Sequence, residues 1–284
     1  MILVAGGTGT LGREVVARLT ASGRPVRVLT RDPARAAGLG ADVAVGDVRD
    51  RSSLPAAVRE CATVVSAVHG FLGGRGSGPM EIVDRGHANL VAAAADAGVA
   101  QFVLLSVRDA RADHPMSLHR AKFTAEQHLS TVATPWTVLR PSAYIETWAG
   151  VIGAKLGSGG PAPVFGRGTN PINFVSVRDV AAIVVRAIDD PALRGQTIDV
   201  VGPDNLGMVR FAEMLGATKI RHIPRGALRF LATAAAPLAP AFARQAATAL
   251  VMDTTDMSAD PSPLRARFPD LTLRHVADVI PGRG

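Results

Sequence analysis

Residues 4–16 read VAGGTGTLGREVV, the most regular glycine pattern in the sequence. Three glycines, Gly6, Gly9 and Gly12, stand at every third position between an apolar run and an amphipathic run. Glycines at this spacing let the chain turn tightly and let backbone N–H groups approach a pyrophosphate, and the helix N-terminus that follows favours negative charge. The pattern predicts a dinucleotide-binding turn inside a β–α–β unit. A tight turn without a ligand is the alternative interpretation.

Outward from this turn, short β-branched runs alternate with amphipathic runs through the first 140 residues. The predicted strands cover residues 2–6, 25–30, 42–47, 63–68, 101–106 and 136–141, with helices at 11–23, 51–61, 81–98 and 119–132. Strands that are apolar along nearly their whole length are typical of a sheet with both faces covered. The alternation therefore predicts an α/β fold with a doubly wound parallel sheet.

The alternation breaks after residue 140, where a loop-rich stretch is followed by one more α/β segment and then by a mainly helical, Ala- and Pro-rich segment. We expect a dinucleotide-binding domain of residues 1–140 plus 171–202. A smaller, mainly helical substrate lobe is expected from residues 141–170 plus 203–284.

Composition narrows the class of protein. The formal charge is +7, but the 31 Lys and Arg are scattered without a long cationic run, so nucleic acid is not the expected partner. The single cysteine, Cys61, excludes an internal disulfide, and its place before an apolar strand predicts a buried thiol. The most apolar later stretch, residues 226–252, is interrupted by arginines and prolines. We expect a cytoplasmic protein with no signal peptide and no membrane partner.

The end of the second strand bears on the choice of cofactor. Proteins that select NAD(H) place an acid there to bind the ribose 2′-hydroxyl, whereas this chain has Thr30 followed by Arg31. An arginine can bind a 2′-phosphate through its guanidinium, which favours NADP(H) while leaving NAD(H) possible. Asp32 precedes Pro33, and that pair indicates a helix N-cap. Arg13 is either a second phosphate ligand or a solvated helix residue.

Further nucleotide contacts are expected near the carboxyl ends of the strands, where doubly wound sheets bind ligands. Asp47 and Val48, after the third strand, are expected beside the adenine, with a turn cap as the alternative for Asp47. The glycine-rich residues 70–79 are expected to form a loop over the crevice. Additional candidates in the turn and after the fourth strand are Thr8, Thr10, Leu11 and Ala67.

These motifs resemble the atypical short-chain dehydrogenase/reductase superfamily, and within it the NmrA-like, isoflavone-reductase-like branch. The resemblance covers about residues 1–200 and includes GGTGTLG, LTRDP, GDVRD, WTVLRPSAYIETW and INFVSVRDVA. It implies NADP(H) across the strand ends and a substrate held against the C-terminal lobe. Typical members use Ser, Tyr and Lys, but Leu118 stands four places before Lys122, and the one tyrosine of the chain is Tyr144. Isoflavone-reductase-like enzymes are similar in keeping the lysine without the tyrosine.

Lys122 is therefore the candidate acid/base residue and a candidate ligand of the nicotinamide ribose. A solvated lysine paired with Glu126 at i+4 is the alternative. Ser106, at the end of strand five, is a candidate to orient a substrate carbonyl, or simply caps a turn. His114 and His119 are other candidate acids because histidine titrates near neutral pH, with solvated side chains as the alternative.

Substrate contacts are expected from His69, His119, Tyr144 and Trp148, with packing between lobes as the alternative for the two aromatic residues. The scattered histidines and the lone cysteine predict no metal site. The function expected first is NADP(H)-dependent hydride transfer to a carbonyl or conjugated alkene of a small, largely apolar, possibly aromatic compound. Alternatives are a non-catalytic redox sensor that docks a protein partner, and a non-redox isomerisation or cyclisation. A homodimer is left open.

Overall fold

The computed structural model describes residues 1–70 and 78–280. The first part of the chain alternates strands and helices as the hydrophobic pattern predicts. In chain order its elements are β1 (Ile2–Ala5), α1 (Thr10–Ala21), β2 (Val26–Thr30), β3 (Asp42–Val45), α2 (Leu54–Val58), β4 (Thr63–Ser66), α3 (Gly86–Asp96), β5 (Gln101–Leu105), α4 (Ser117–Ser130) and β6 (Trp136–Pro141). A π-helical turn, Met80–Arg85, precedes α3. The predicted loop at residues 70–79 lies largely outside the described residues.

The remaining elements are shorter and more mixed. They are β7 (Ala143–Tyr144), α5 (Ile145–Gly157), β8 (Ala162–Phe165), β9 (Ile172–Val175), α6 (Val177–Asp189), β10 (Gln196–Val200), β11 (Asp204–Leu206), α7 (Met208–Met214), β12 (Ile220–Ile223), α8 (Arg225–Ala234), α9 (Pro240–Thr254), α10 (Ser262–Arg267) and α11 (Val276–Val279). The stretch expected to be loop-rich, residues 153–171, contains the end of α5 and all of β8. The Ala- and Pro-rich segment is mainly helical, as predicted, with β11 and β12 as additions.

The main sheet has the strand order β10-β6-β5-β4-β1-β2-β3, and the pairings from β3 through to β6 are parallel. Strands β1, β4 and β5 are buried along their whole length because helices cover both faces of the sheet. The predicted doubly wound α/β fold is confirmed. Strand order reverses between β1 and β4, which is where such sheets bind ligands outside the carboxyl ends of the strands.

The chain divides into two compact units. The first comprises Met1–Arg140 and Val180–Asp199, and the second comprises Pro141–Asp179 and Val200–Gly284. Residues 171–179 and 200–202, which the sequence pattern grouped with the first domain, cluster with the second unit.

The first unit is organised around one large apolar core that includes Leu3, Leu90, Phe102, Leu104 and Leu129, all fully buried. The second unit contains a three-stranded sheet, β11-β9-β7, and a parallel pair, β12-β8. Cys61 is buried in the first unit as predicted, and burial raises the pKa of its thiol. Within residues 1–70 and 78–280, no helix is long and apolar enough to cross a bilayer.

Candidate functional site

The glycine turn after β1 is held by backbone geometry that other residues cannot adopt. Gly6 has φ +83°, and a Cβ there would come within 2.8 Å of the Ala67 backbone. A Cβ on Gly12 would come within 2.1 Å of the Gly6 oxygen. Gly6 is therefore required by its positive φ and by the approach of the Ala67 backbone, and Gly12 by the approach of α1 to Gly6, with or without a ligand.

Gly9 differs from these two glycines, since nothing within the fold requires it. A Cβ there would meet only the Gly6 oxygen, at an ordinary contact distance of 3.4 Å, and its φ of −83° suits any residue. Gly9 is the N-cap of α1, no side chain caps the helix there, and its first turn contains no acid. An uncapped helix N-terminus behind a residue without a side chain is the arrangement that admits a phosphate close to backbone N–H groups.

A cleft of about 620 Å³ opens in front of this turn. This volume lies within the usual range for small-molecule and cofactor sites. The turn and the segments that follow β2, β3 and β4 supply nearly all of its lining, which consists of Gly6, Thr8, Gly9, Leu29, Thr30, Arg31, Asp32, Arg35, Gly46, Asp47, Val48, Ala67, Val68, His69, Gly70 and Ile82. Four of the expected cofactor residues do not line the cleft: Thr10, Leu11 and Gly12, which belong to the first turn of α1, and Lys122 on α4.

Cations gather where the cleft meets the end of β2. The Arg31 side chain is 58% exposed, and its guanidinium is 4.0 Å from the Asp47 carboxylate. Asp32 caps the short turn that follows, because its carboxylate accepts a hydrogen bond from the Ala34 amide at 3.0 Å. This carboxylate is thus engaged with the backbone, as the Asp–Pro pair predicts. Arg35 also lines the cleft. It was not predicted as a cofactor residue, although the sequence shows that it lies four positions after Arg31.

The Arg13 side chain stabilises the glycine turn through two hydrogen bonds to backbone oxygens. Its guanidinium donates to the backbone oxygen of Thr8 at 3.2 Å and to that of Arg35 at 2.6 Å. These two bonds join the glycine turn to the segment that carries the cleft arginines.

Asp47 has both a turn-capping contact and a place in the cleft wall. Its carboxylate accepts from the Arg49 amide at 3.0 Å and from the Arg49 guanidinium at 2.5 Å. The hydrogen bonds from Arg49 are the main reason that the pKa of Asp47 is lowered. Val48 lies beside it in the wall as an apolar surface.

Lys122 is buried on α4, and its ammonium donates hydrogen bonds to backbone oxygens at the ends of β4 and β5. Nζ donates to the Val68 oxygen at 2.8 Å and to the Leu105 oxygen at 2.5 Å. Burial lowers the pKa of Lys122 to about 7, and the charge of Glu126 opposes that shift only in part. The alternative of a solvated lysine paired with Glu126 is wrong. The side chain is 4% exposed, and Glu126 has other partners.

Those partners are Ser106 and Arg140. The Ser106 hydroxyl donates to the Glu126 carboxylate, which also accepts from the Arg140 guanidinium at 2.9 and 2.5 Å. Ser106 and Glu126 are buried, so this network satisfies polar groups inside the first unit. The Ser106 proton is therefore engaged within the protein.

Two histidines, His69 and His87, are close enough to the Lys122 ammonium for its charge to lower their pKa values. His69 is an exposed residue of the cleft lining, and desolvation by nearby protein, together with the charge of Lys122, lowers its pKa. His87, which sequence reasoning missed, is buried. Its Nδ1 donates to the Val83 oxygen at 2.5 Å, so Nε2 accepts from the Ser66 hydroxyl at 2.9 Å. Burial lowers the pKa of His87 to about 3, and the charge of Lys122 adds to that shift.

His114 and His119 are buried, which contradicts the alternative of solvated side chains. Their rings stack with centroids 4.0 Å apart. His114 Nδ1 accepts from the Met116 amide at 3.1 Å, and His119 Nδ1 has no hydrogen-bond partner among the described residues. Burial lowers the pKa of His119 to about 3, so its ring is neutral at physiological pH.

The two candidate aromatic residues belong to the second unit. Tyr144 is half-buried, and desolvation, with the charge of Glu146, raises the pKa of its phenol. Trp148 lines a cavity of about 10 Å³, which has room for about one water molecule and none for a substrate. Among the described residues, no group of three or more His, Cys, Asp or Glu side chains is placed to hold a metal ion.

The comparisons with known proteins agree with a nucleotide-binding role for this cleft. A family described as NAD(P)H-binding matches residues 6–191. The NAD(P)H azoreductase of Xenophilus azovorans is 31% identical over 78% of this chain and 75% of its own length. A photosystem II assembly factor of Synechocystis sp. is 28% identical over 81% of this chain and 72% of its own.

Solved structures confirm the fold. The NADPH-dependent quinone oxidoreductase of Escherichia coli, crystallised with NADPH, superposes with a TM-score of 0.78. The alignment covers 99% of this chain and 98% of that one, at 20% sequence identity.

Proposed function

The chain belongs to the family described as NAD(P)H-binding. We propose that it is an NADP(H)-dependent reductase of the isoflavone-reductase-like, atypical short-chain dehydrogenase/reductase type. Its acceptor would be a carbonyl, conjugated alkene or comparable unsaturated group of a small, largely apolar compound. The observation that carries the proposal is the cleft itself, with Arg31 and Arg35 after β2 and the Lys122-linked ends of β4 and β5 near His69.

The residues present fit a phosphorylated dinucleotide. Gly9 and the uncapped N-terminus of α1 would hold the pyrophosphate. Arg31 and Arg35 would hold the 2′-phosphate, because both line the cleft and Asp32, the nearest acid in the sequence, is occupied by its own turn. Asp47 and Val48 would border the adenine, and Ala67 would lie against the nucleotide after β4. These assignments favour NADP(H) over NAD(H).

The bound nicotinamide would supply the hydride. Lys122 would hold the proton that completes the reduction, since a pKa of about 7 leaves its ammonium able to release a proton at neutral pH. Two of its three N–H bonds point to Val68 and Leu105, and the third has no acceptor among the described residues. We give Ser106 no step, because its proton is donated to Glu126.

Substrate class follows from chemistry and from the relatives. One of them is named for azo compounds and one fold neighbour for quinones, and both groups are flat, conjugated hydride acceptors. We retain Tyr144 and Trp148 as proposed substrate contacts of the second unit and His69 as the proposed polar contact at the cleft. His119, being buried and neutral, would act only on a substrate that reaches it.

The test is oxidation of NADPH, followed by absorbance, with a panel of quinones, enones, ketones and azo dyes. We expect turnover with at least one class and a loss of at least a hundredfold in kcat for Lys122→Met with NADPH affinity retained. Lys155→Met, at an exposed lysine of α5, is the matched control and should be unaffected. Equal turnover by Lys122→Met would refute the role of Lys122. Tight NADPH binding without turnover on the whole panel would refute the reductase.

A second function is favoured by the way Lys122 is used. An ammonium that bridges two strand ends, in a chain without the usual tyrosine, could serve only to shape the cleft. The protein would then bind NAD(P)H without chemistry and pass its redox state to a partner, and one of its relatives is named as an assembly factor. Binding of both redox forms, no turnover, and capture of a partner by only one form would support this function instead.

A further inference from the structure

We propose that the tip of the helical hairpin α8–α9 in the second unit docks on an anionic membrane surface. The hairpin tip consists of residues 230–243. This inference goes beyond the proposed function and does not depend on it. It adds an interfacial contact to a chain in which, among the described residues, no helix spans a bilayer.

The hairpin tip presents large apolar side chains to solvent. Phe230, near the end of α8, is 68% exposed, Leu238 in the connection is 90% exposed, and Phe242 at the start of α9 is 48% exposed. Three of the seven large exposed apolar residues in the part of the chain that the structure describes therefore lie in one short segment. Apolar side chains concentrated in this way mark an interaction site, whereas isolated ones need no explanation.

Packing within the hairpin explains why these residues face outward. Leu228, Ala246 and Ala249 form its buried core, against which Leu231 and Ile223 pack. On α8 the inward positions are Leu228 and Leu231, one helical turn apart, so Phe230 lies on a different face. The hairpin has its own core, and the exposed phenylalanines and leucine contribute nothing to it.

The distribution of charged residues around the hairpin tip indicates which kind of surface it would bind. The hairpin tip has no charged residue in its 14 positions, with Arg229 directly before it and Arg244 directly after. From 214 to 252 the chain has five Lys or Arg and no Asp or Glu. Arg225 is neutralised by Asp253 at 2.5 Å, but Lys219, Arg221 and Arg229 are exposed. An uncharged apolar tip that adjoins the exposed Arg229, in a segment with further cations and no acid, is complementary to a lipid surface with acyl chains below anionic headgroups.

A second copy of this chain fits less well. A twofold contact between hairpin tips would bring the two cationic flanks together, because such a contact places the same surface on both sides. An acidic protein groove would satisfy the charge, and it is therefore a distinct outcome of the test.

The experiment is flotation of the full chain with vesicles of phosphatidylcholine alone and with a quarter phosphatidylglycerol, at low and high salt. We expect binding to the anionic vesicles that weakens with salt. Leu238→Asp and Phe230→Asp should each reduce it by at least tenfold, and Arg229→Gln by about fivefold. Val45→Asp, at an apolar residue of β3 that is 63% exposed, is the matched control and should bind as the wild type does.

NADPH affinity and circular dichroism would establish that each variant is folded. Failure of the folded wild type to float with anionic vesicles would overturn the proposal, as would flotation of Leu238→Asp at the wild-type level. A dimer in light scattering that Leu238→Asp dissociates, without vesicle binding, would assign the hairpin tip to a second copy and equally overturn it. The same holds for an acidic protein partner bound through the hairpin tip in the absence of lipid affinity.

Discussion

The Lys122 ammonium donates a hydrogen bond to the backbone oxygen of Val68 at 2.8 Å, and Val68 lines the cleft. This contact connects α4 to the end of β4 across 54 residues of sequence. It places a buried amine, whose pKa is lowered to about 7, directly behind the cleft wall. The chemistry and the stability of this site should therefore both depend on pH.

The first prediction concerns that pH dependence. Because the pKa of Lys122 is lower in the folded state than in the unfolded chain, the unfolded chain binds more protons between about pH 7 and pH 10. The contribution of Lys122 to the free energy of unfolding should thus rise with pH in this window, by up to about 1.4 kcal/mol per unit. Urea unfolding of wild type and Lys122→Met at three pH values measures it. A difference between the two proteins that does not change with pH would contradict the prediction.

The glycine turn offers a matched pair of variants. Gly9→Ala should fold with a cost of about 1 kcal/mol or less, because an ordinary contact is all that its Cβ would make. It should nevertheless weaken NADPH binding by at least tenfold, since the methyl group would stand where the pyrophosphate approaches. Gly12→Ala should instead destabilise the whole turn, because its Cβ would overlap the Gly6 oxygen. Thermal unfolding and calorimetric titration separate the two effects, and unchanged NADPH affinity in Gly9→Ala would refute the phosphate site.

Coenzyme selection is expected to depend on the arginines after β2. Arg31→Gln and Arg35→Gln should each weaken NADPH binding by about tenfold or more and change NADH binding by no more than about twofold. Arg51→Gln, an exposed arginine near Asp96, is the control. Fluorescence titration with both nucleotides measures the ratio. A parallel loss of NADH affinity would mean that these arginines do not contact a 2′-phosphate.

Substitution of Ser106 distinguishes a structural role of its hydroxyl from a role in the reaction. Its hydroxyl donates to Glu126, so Ser106→Ala should lower the free energy of unfolding by about 1 kcal/mol. The value of kcat/KM should change by no more than about twofold if Ser106 takes no part in the reaction. A fall of a hundredfold in kcat/KM with unchanged stability would restore the carbonyl-orienting role that the sequence suggested.

Acid sensitivity should reflect His119. Its pKa in the folded protein, about 3, lies below that of the unfolded chain, so the unfolded state binds more protons between about pH 6.5 and pH 3. The contribution of His119 to stability is present above this window and is lost as pH falls through it. His119→Phe should therefore become more stable relative to wild type as the solution is acidified. Equal losses in both proteins, measured by urea unfolding at pH 7 and pH 5, would contradict this.

Much of the fold could be predicted because its signals are local. Periodicity places a strand within a few residues of each of β1 to β6, and the Asp32–Pro33 pair specifies its own cap. The glycine spacing predicts the turn, since the need for a residue without a side chain is visible at Gly6 and Gly12 themselves. The place of Arg31 in the cleft could be predicted in the same way, because Arg31 directly follows the second strand.

The pairing of the buried polar side chains could not be predicted from the sequence, because it depends on contacts between distant segments. Glu126 is four residues from Lys122, and the sequence pairs them, yet Glu126 binds Arg140, and Lys122 binds the oxygens of Val68 and Leu105. The sequence equally did not predict that His87 and the stacked His114 and His119 are buried, or that the hairpin tip is exposed. Helical periodicity specifies a face but not what that face meets. The free energy of a buried charge depends on its surroundings, which segments far apart in the chain supply.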